Sequence, residues 1–302
     1  MAGFYGSAPT QMVSYTLTMT TGDSVVLDMP KKSYDQLTYR SKRSFLVRYP
    51  KEHLFSWISS ATTYKQLEDI AERCSLCDTS DFSDLNLEAT KTVLKTLVNA
   101  LYMYPRLRSM TCYIGSEKGF KRKFEALARG NLDTLRDFGI QYICSQTQAM
   151  TLGRAMVRLA DSYIRDKDSF IALAIDAFGL FDAIVLDSQD YEGYKYKATL
   201  DNMKYSEKSG FSPKGCSGPD STVYHEIGHL LDYLTGLHDT PEFQRYFSSL
   251  SASAIKSGLS EYALASSREV IAEAFAEFMC TRFPRRIASD IARMLNNAYK
   301  RI

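Results

Sequence analysis

The sequence predicts an α+β fold: a mostly helical body with a small mixed sheet, preceded by a small β-rich N-terminal region. Three observations lead to this prediction. Apolar and polar residues alternate over residues 12–28 on both sides of the turn sequence TGDS, which is typical of a β-hairpin. After residue 60, most segments repeat their apolar residues at helical spacing. Two short apolar runs, residues 109–116 and 181–188, interrupt the helical segments and predict strands.

These patterns divide the chain into two predicted regions. Residues 1–60 form the β-rich region, in which residues 43–49 (RSFLVRY) provide a third strand after the hairpin. Residues 61–302 form the larger, mostly helical domain. A chain of 302 residues is long enough to bury a sizeable core in this way.

Several helical segments have ends that the sequence marks. The segment that starts near residue 88 is expected to stop before Pro105, and the segment over residues 120–139 is expected to break near Gly130. A third amphipathic segment covers residues 145–166. Residues 189–220 are polar and rich in Gly, Ser, Tyr and Lys, so we expect a long loop there. Such loops in compact domains are usually functional.

The composition limits the classes of partner. The formal net charge of +2 provides no argument for binding nucleic acid or an acidic membrane surface. No apolar run has the length of a membrane helix, and the first residues lack the basic flank and apolar core of a secretory signal. The six cysteines are expected to be free thiols. For the CSLC pair, Cys74 and Cys77, a redox site or a second metal site is the alternative.

The stretch STVYHEIGHLLDYLTG carries the strongest chemical signal. Asp220 or Ser221 can cap a helix there, and Gly236 can end it. On that helix His225 and His229 lie one turn apart on the same face, with Cβ atoms about 5–6 Å apart. This spacing allows both imidazoles to reach one zinc ion at about 2.0–2.1 Å.

Glu226 follows the first histidine and lies at the flank of the same face. From there its carboxylate can take a proton from metal-activated water and pass it to a leaving amine. Gly228 leaves room for substrate or for a neighbouring backbone. The alternative is an ordinary amphipathic helix whose histidines bind nothing.

The third ligand decides the class of zinc site. A metzincin requires Gly at position 232 and His at position 235, whereas this sequence has Asp232 and Thr235. His238 lies beyond the predicted end of the helix. The metzincin class is therefore excluded, and the remaining source of a ligand is a carboxylate on a helix further along the chain.

Residues 266–284 (SSREVIAEAFAEFMCTRFP) predict such a helix. Glu269, Glu273 and Glu277 recur every four residues and form one acidic stripe, whose like charges repel one another unless a cation lies nearby. A capping box from Ser266 to Glu269, followed by a solvated acidic face, explains the same pattern without a metal. The residues alone leave open which of the three glutamates is a ligand.

HEIGHLLDYLTG, followed by EYALASSREVIAEAFAEF, resembles the catalytic domain of anthrax lethal factor and its relatives, which are gluzincin metallopeptidases. In that family an Asp and a helix-closing Gly follow the histidine motif, and here these are Asp232 and Gly236. A Tyr then precedes a Glu by seven residues, and A-E-A-F begins three residues after that Glu. Tyr262, Glu269 and residues 272–275 occupy these places.

The resemblance covers roughly residues 220–280 closely and implies that residues 61–302 form a zincin-like metallopeptidase domain. It implies Zn²⁺ as the cofactor. It also implies that His225, His229 and Glu269 are the three metal ligands.

The resemblance also assigns roles beside the metal. Glu226 would be the general base, and Tyr262 would donate a hydrogen bond to the developing oxyanion or to the leaving group. Asp232 and Glu273 are candidates for orienting a ligand imidazole through its second ring nitrogen.

The hexapeptide GFSPKG before the histidine motif is similar to metallopeptidase-like domains of phages and prophages. This similarity implies a protein of the host cytoplasm or of the phage particle, with a protein or peptide substrate and phage structural proteins as partners. In zincins generally, substrate lies extended along an edge strand. Residues 183–187 (AIVLD) are the candidate edge, and residues 189–220 would form the rim of the cleft.

The expected function is therefore that of a zinc-dependent endopeptidase. One alternative is a non-catalytic zincin-fold structural or assembly protein of a phage particle, and another is a zinc hydrolase of a non-peptide substrate. Intact Glu226 and Tyr262 argue against the scaffold, which needs neither a base nor a hydrogen-bond donor.

Overall fold

The computed structural model describes residues 11–18, 24–31, 49–138, 146–165, 172–175, 183–192 and 195–302. Its strands are β1 (Met12–Thr18), β2 (Ser24–Pro30), β3 (Thr79–Asp81), β4 (Tyr113–Ser116), β5 (Ala172–Ile175) and β6 (Ala183–Leu186). Its helices are α1 (Lys51–Ser60), α2 (Tyr64–Arg73), α3 (Leu87–Met103), α4 (Glu117–Ala128), α5 (Asp133–Asp137), α6 (Gln146–Arg165), α7 (Ser188–Tyr191), α8 (Lys195–Ser209), α9 (Pro219–Thr235), α10 (Pro241–Ser248), α11 (Ala252–Gly258), α12 (Ser267–Cys280) and α13 (Arg286–Arg301). Short 3-10 turns cover Pro105–Met110, Leu237–Asp239 and Tyr262–Ala265.

A mixed four-stranded sheet lies within the mostly helical body, in the order β3-β4-β6-β5. β3, β4 and β6 are parallel, and β5 pairs with β6 in the antiparallel direction. The prediction that residues 183–187 form the edge is wrong, because β6 lies between β4 and β5 and all four of its residues are buried. Among the described strands, the edge on that side is β5, which contacts helix α9.

The N-terminal stretch contains an antiparallel hairpin of β1 and β2, with Met12 opposite Pro30 and Thr18 opposite Ser24. The third strand expected over residues 43–49 falls on residues 43–48, which lie outside the described residues. The next described element is the helix α1, not a strand. Leu54 and Ile58 on α1 are buried in the same core as the rest of the helical body.

Two of the predicted helix ends are present. Helix α3 ends at Met103, before Pro105. The break expected near Gly130 separates α4 from α5, and Gly130 has φ 93°, a left-handed conformation that favours glycine.

The long loop expected over residues 189–220 is mostly helical, which corrects that prediction. Helices α7 and α8 occupy much of it, and among the residues described there the irregular ones are 192 and 210–218. Helix α8 buries only Thr199 and Met203, and most of its other positions carry polar side chains. Because so few of its residues face the core, its sequence is as polar as that of a loop.

Helix α9 carries the histidine motif and begins slightly earlier than predicted. Gly218 is the cap residue and Pro219 occupies the first turn, where proline is favoured because its missing N–H is not needed. Ser221 does not cap the helix; its hydroxyl donates to the Gly218 carbonyl at 2.6 Å. Gly236 ends the helix with φ 62°, as predicted.

Helices α9 and α12 pack against each other at small residues. A Cβ at Gly228 would lie 2.8 Å from the Ala272 Cα, closer than side-chain atoms approach a backbone. Glycine at 228 is therefore required for the close approach of the two helices, which is the neighbouring-backbone role expected for it. This approach brings the histidine motif against the first turns of α12.

Cys74 and Cys77 follow helix α2 and are buried free thiols. Burial raises the pKa of the Cys77 thiol to about 12, so its reactive thiolate form is strongly disfavoured near neutral pH. None of the described helices combines the length and the apolar character needed to cross a membrane.

Candidate metal centre

Three side chains from α9 and α12 converge on one point. His225 Nε2 and His229 Nε2 are 3.1 Å apart. Glu269 Oε2 lies 3.1 Å from His225 Nε2 and 3.3 Å from His229 Nε2. Among the described residues, this is the one group of three or more His, Cys, Asp or Glu side chains that could hold a metal ion.

The triangle of donor atoms fits a zinc ion. Three donors bound at about 2.0–2.1 Å with tetrahedral angles stand about 3.3 Å from one another. The three observed separations of 3.1–3.3 Å are close to that value. Glu269 Oε2 is buried and makes no hydrogen bond within the described parts of the chain. Two imidazoles and one carboxylate are also the donor set of catalytic zinc sites that keep a fourth position open.

Ser266 caps helix α12 by accepting from the Glu269 backbone N–H at 3.2 Å. The Glu269 side chain points to the two imidazoles. Although burial alone would raise the pKa of Glu269, its contacts with His225 and His229 hold that pKa well below the usual range of a carboxyl group. Glu269 is therefore an anion, which is the form in which a carboxyl group binds a metal ion.

The acidic stripe of α12 is not a solvated face. Glu273 and Glu277 are 5% and 0% exposed. Each of the three glutamates instead has a particular partner, and a buried carboxylate needs one. The reading of this stripe as a surface feature is therefore wrong.

Glu273 orients one of the two imidazoles. Its Oε1 accepts from His225 Nδ1 at 2.8 Å, which places the ring proton on Nδ1 and leaves the Nε2 lone pair directed at Glu269 and His229. Burial opposes a charge on His225, but its contacts with Glu269 and Glu273 raise its pKa well above the usual value. Protons and a metal ion therefore compete for this imidazole.

Asp232 does not orient a ligand imidazole, contrary to the expectation from the resemblance. Its Oδ1 accepts from the backbone N–H of His238 at 2.8 Å and lies 3.0 Å from His238 Nδ1. Arg268 Nη1 is 3.4 Å from its second oxygen. His229 Nδ1 is buried and has no hydrogen-bond partner, neither Asp232 nor any other described group. Asp232 thus holds the 3-10 turn that follows Gly236.

Tyr262 lies beside the triad of His225, His229 and Glu269, at the start of the 3-10 turn Tyr262–Ala265. Its ring centre is 5.9 Å from that of His225 and 5.6 Å from that of Phe211. The Tyr262 backbone N–H donates to the Phe211 carbonyl at 3.1 Å, which fixes the turn against the segment before α9. Burial and the nearby carboxylates, with Glu269 first among them, raise the pKa of Tyr262, so its hydroxyl stays protonated and able to donate.

Glu226 is buried on α9, next to the metal-ligand candidate His225. Its negative charge contributes to the raised pKa of both His225 and Tyr262, so it lies within electrostatic reach of both groups. Glu226 thus lies on the helix that carries both imidazoles and close enough to Tyr262 for its charge to act there.

Two supporting residues have no signal in the sequence. Arg285 lies beside the fully buried Glu277 and donates to it through the backbone N–H at 2.7 Å and through Nη2 at 2.6 Å. Ser260 is also fully buried and donates to Glu273 Oε2 at 2.6 Å. Ser260 precedes α12 and Arg285 follows it, so the helical spacing of the acids could not have found them.

Comparisons of this chain with protein-family models, with curated proteins and with solved structures find no match.

Proposed function

We propose that this protein is a zinc-dependent endopeptidase of the lethal-factor-like gluzincin type. The observation that carries the proposal is the donor triangle of His225, His229 and Glu269, with sides of 3.1–3.3 Å. A buried carboxylate and a protonated tyrosine lie beside it. The three groups together supply what zinc-dependent peptide hydrolysis requires: a metal site, a general base and a hydrogen-bond donor for the oxyanion.

Each side chain has a defined part in the proposed reaction. A zinc ion held by the triad would supply Lewis-acid chemistry, lowering the pKa of water toward about 7 and polarising the peptide carbonyl. Glu226 takes one proton from the attacking water and passes it to the amide nitrogen as the C–N bond breaks. Tyr262 donates its hydroxyl hydrogen bond to the carbonyl oxygen while that oxygen carries negative charge.

The surroundings of the triad favour an extended peptide with apolar side chains. Strand β5 is the sheet edge that contacts α9, and an extended segment can pair with such an edge through backbone hydrogen bonds. On the Tyr262 side, Phe211 is 47% exposed and Leu264 is 42% exposed. These two residues offer an apolar rim to a substrate side chain.

The proposal is tested by exposing a denatured proteome, including phage structural proteins, to the purified protein with and without a chelator. New peptide ends that require the metal are the expected result, and large apolar residues should be enriched next to the cut bonds. The similarity of GFSPKG supports a phage or prophage context and makes phage structural proteins the first substrates to examine. Stoichiometric zinc without any cleavage would instead support the structural or assembly alternative. Hydrolysis of non-peptide esters alone would support the third alternative.

Replacement of Tyr262 by Phe is expected to lower kcat by about 10²–10³ with little change in KM. The phenyl ring keeps the contacts with Phe211 and His225 but lacks the hydroxyl that donates to the oxyanion. Zinc content should stay the same, because Tyr262 is not a member of the donor triangle. Steady-state kinetics on a peptide identified in the proteome experiment measure both constants.

Tyr205→Phe serves as the control, because Tyr205 is 73% exposed on α8 and the substitution removes the same hydroxyl. Its kinetics should equal those of the wild type. An unchanged kcat in Tyr262→Phe would remove Tyr262 from the proposed reaction.

A further inference from the structure

Ser260 connects the turn that carries Tyr262 to the acid that holds His225. The side chain is 0% exposed. Its hydroxyl donates to Glu273 Oε2 at 2.6 Å and accepts from the backbone N–H of Ala263 at 3.1 Å. Ala263 belongs to the same 3-10 turn as Tyr262. A single hydroxyl thus contacts both parts of the site.

Each carboxylate oxygen of Glu273 has its own hydrogen-bond partner. Oε1 accepts from His225 Nδ1 at 2.8 Å, and Oε2 accepts from Ser260 at 2.6 Å. A carboxylate bound at both oxygens is held in one orientation. Without the Ser260 hydroxyl, Oε2 would lose a hydrogen bond in a buried position, and a buried acceptor left without a donor is costly. The carboxylate would then turn to recover a partner, and His225 would lose its fixed orientation.

The position of Ser260 is itself fixed by its neighbours. Arg285 donates to the carbonyl oxygen of Leu259, immediately before Ser260, and to that of Ser257 at 3.1 Å. Glu277 holds Arg285 through both of its carboxylate oxygens. The main chain is therefore anchored to α12 at Leu259, and α12 also supplies Glu269 and Glu273.

We infer that Ser260 is a positioning residue, which fixes the Glu273 carboxylate and thereby sets both the metal affinity of His225 and the placement of Tyr262. The first effect requires only that the triad binds a metal. The second rests on the proposed peptidase function. The inference therefore makes one prediction that zinc binding alone can test.

Ser260→Ala is expected to raise the Kd for zinc by about tenfold or more, because residues that orient a ligand imidazole typically contribute 10–100-fold to metal affinity. The Kd is measured by competition with a chromophoric chelator. The visible spectrum of the Co²⁺-substituted protein should change as well, because it reports the geometry of the ligands. Ser260→Cys, which nearly preserves the volume but is a weak hydrogen-bond partner, is expected to raise the Kd in the same direction and guards against a folding defect in the alanine variant.

A double-mutant cycle separates positioning through Glu273 from a general loss of structure. In a Glu273→Ala background, Ser260→Ala should change the Kd by less than roughly twofold, because the group through which it acts is already absent. Equal changes in Kd in both backgrounds would overturn the inference, and so would an unchanged Kd in both Ser260 variants. Ser251→Ala is the matched control: this serine caps α11 by accepting from Ala254 N–H at 3.1 Å and does not contact the triad, so its Kd should be that of the wild type.

The same proteins distinguish failure of this inference from failure of the proposed function. Tight zinc binding without any peptide hydrolysis refutes the peptidase proposal, yet the cycle of Kd values still decides the role of Ser260. If the protein hydrolyses peptides but Ser260→Ala changes the Kd equally in the wild-type and Glu273→Ala backgrounds, the role of Ser260 is refuted and the peptidase proposal stands.

Discussion

Glu226→Gln is expected to bind zinc as the wild type does and to lose peptide hydrolysis by a factor of at least about 10²–10⁴. Glutamine has nearly the shape of glutamate, so the buried position on α9 is filled as before. Its amide does not take up a proton at neutral pH, so it neither removes the proton of the attacking water nor delivers one to the amide nitrogen, and the C–N bond is not broken at an appreciable rate. The donor triangle of His225, His229 and Glu269 does not include the changed side chain.

Zinc stoichiometry and the rate of cleavage of one identified peptide, measured on the same preparation, test this expectation. Glu242→Gln is the control, because Glu242 lies exposed on α10 and the substitution is chemically the same. Retained cleavage in Glu226→Gln at a rate near that of the wild type would exclude Glu226 as the base. A loss of both zinc and activity would show that Glu226 is needed for the metal site. The fall in cleavage rate would then reflect the missing metal and not the missing base.

The parts of the site that the sequence predicts are those set by local geometry. The places of His225 and His229 on one face follow from the repeat of the helix, and the end of α9 at Gly236 follows from glycine's tolerance of a positive φ. Gly228 also signals the close approach of a second backbone, which is Ala272 of α12. The resemblance, not the spacing, favours Glu269 over Glu273 as the ligand, and the structure brings the Glu269 carboxylate to the imidazoles.

The parts that the sequence does not predict depend on how distant segments meet. Asp232 lies on the same helix face as the histidines, but the 3-10 turn after Gly236 brings His238 to it instead. Ser260 is one of many serines and becomes informative only when Glu273 is found beside it. The sequence of helix α8 predicts a loop because its exposed sides are polar. The edge position of β5 depends on strand order, which the periodicity of a single strand does not encode.

Removal of the Glu269 carboxylate is expected to abolish stoichiometric zinc binding, whereas removal of the Glu273 carboxylate should only weaken it. Glu269→Ala takes away one corner of the donor triangle and leaves two imidazoles, an incomplete set for a structural or catalytic zinc ion. Glu273→Ala leaves all three donors and removes only the acceptor of His225 Nδ1, which predicts a rise in Kd of about 10–100-fold.

The two variants are controls for each other, because the same substitution is made one helical turn apart on α12. Metal content after dialysis against a weak chelator, followed by Kd measurements at neutral pH, distinguishes them. The zinc affinity of the wild type and of Glu273→Ala should fall as the pH is lowered, because protons compete with the metal for His225, whose pKa in the metal-free protein its acidic partners raise. In Glu273→Ala one of those partners is gone, so proton competition at His225 should weaken and the pH dependence should move to lower pH. Zinc retained by Glu269→Ala and lost by Glu273→Ala would reverse the assignment of the third ligand and with it the geometry on which the proposed function depends.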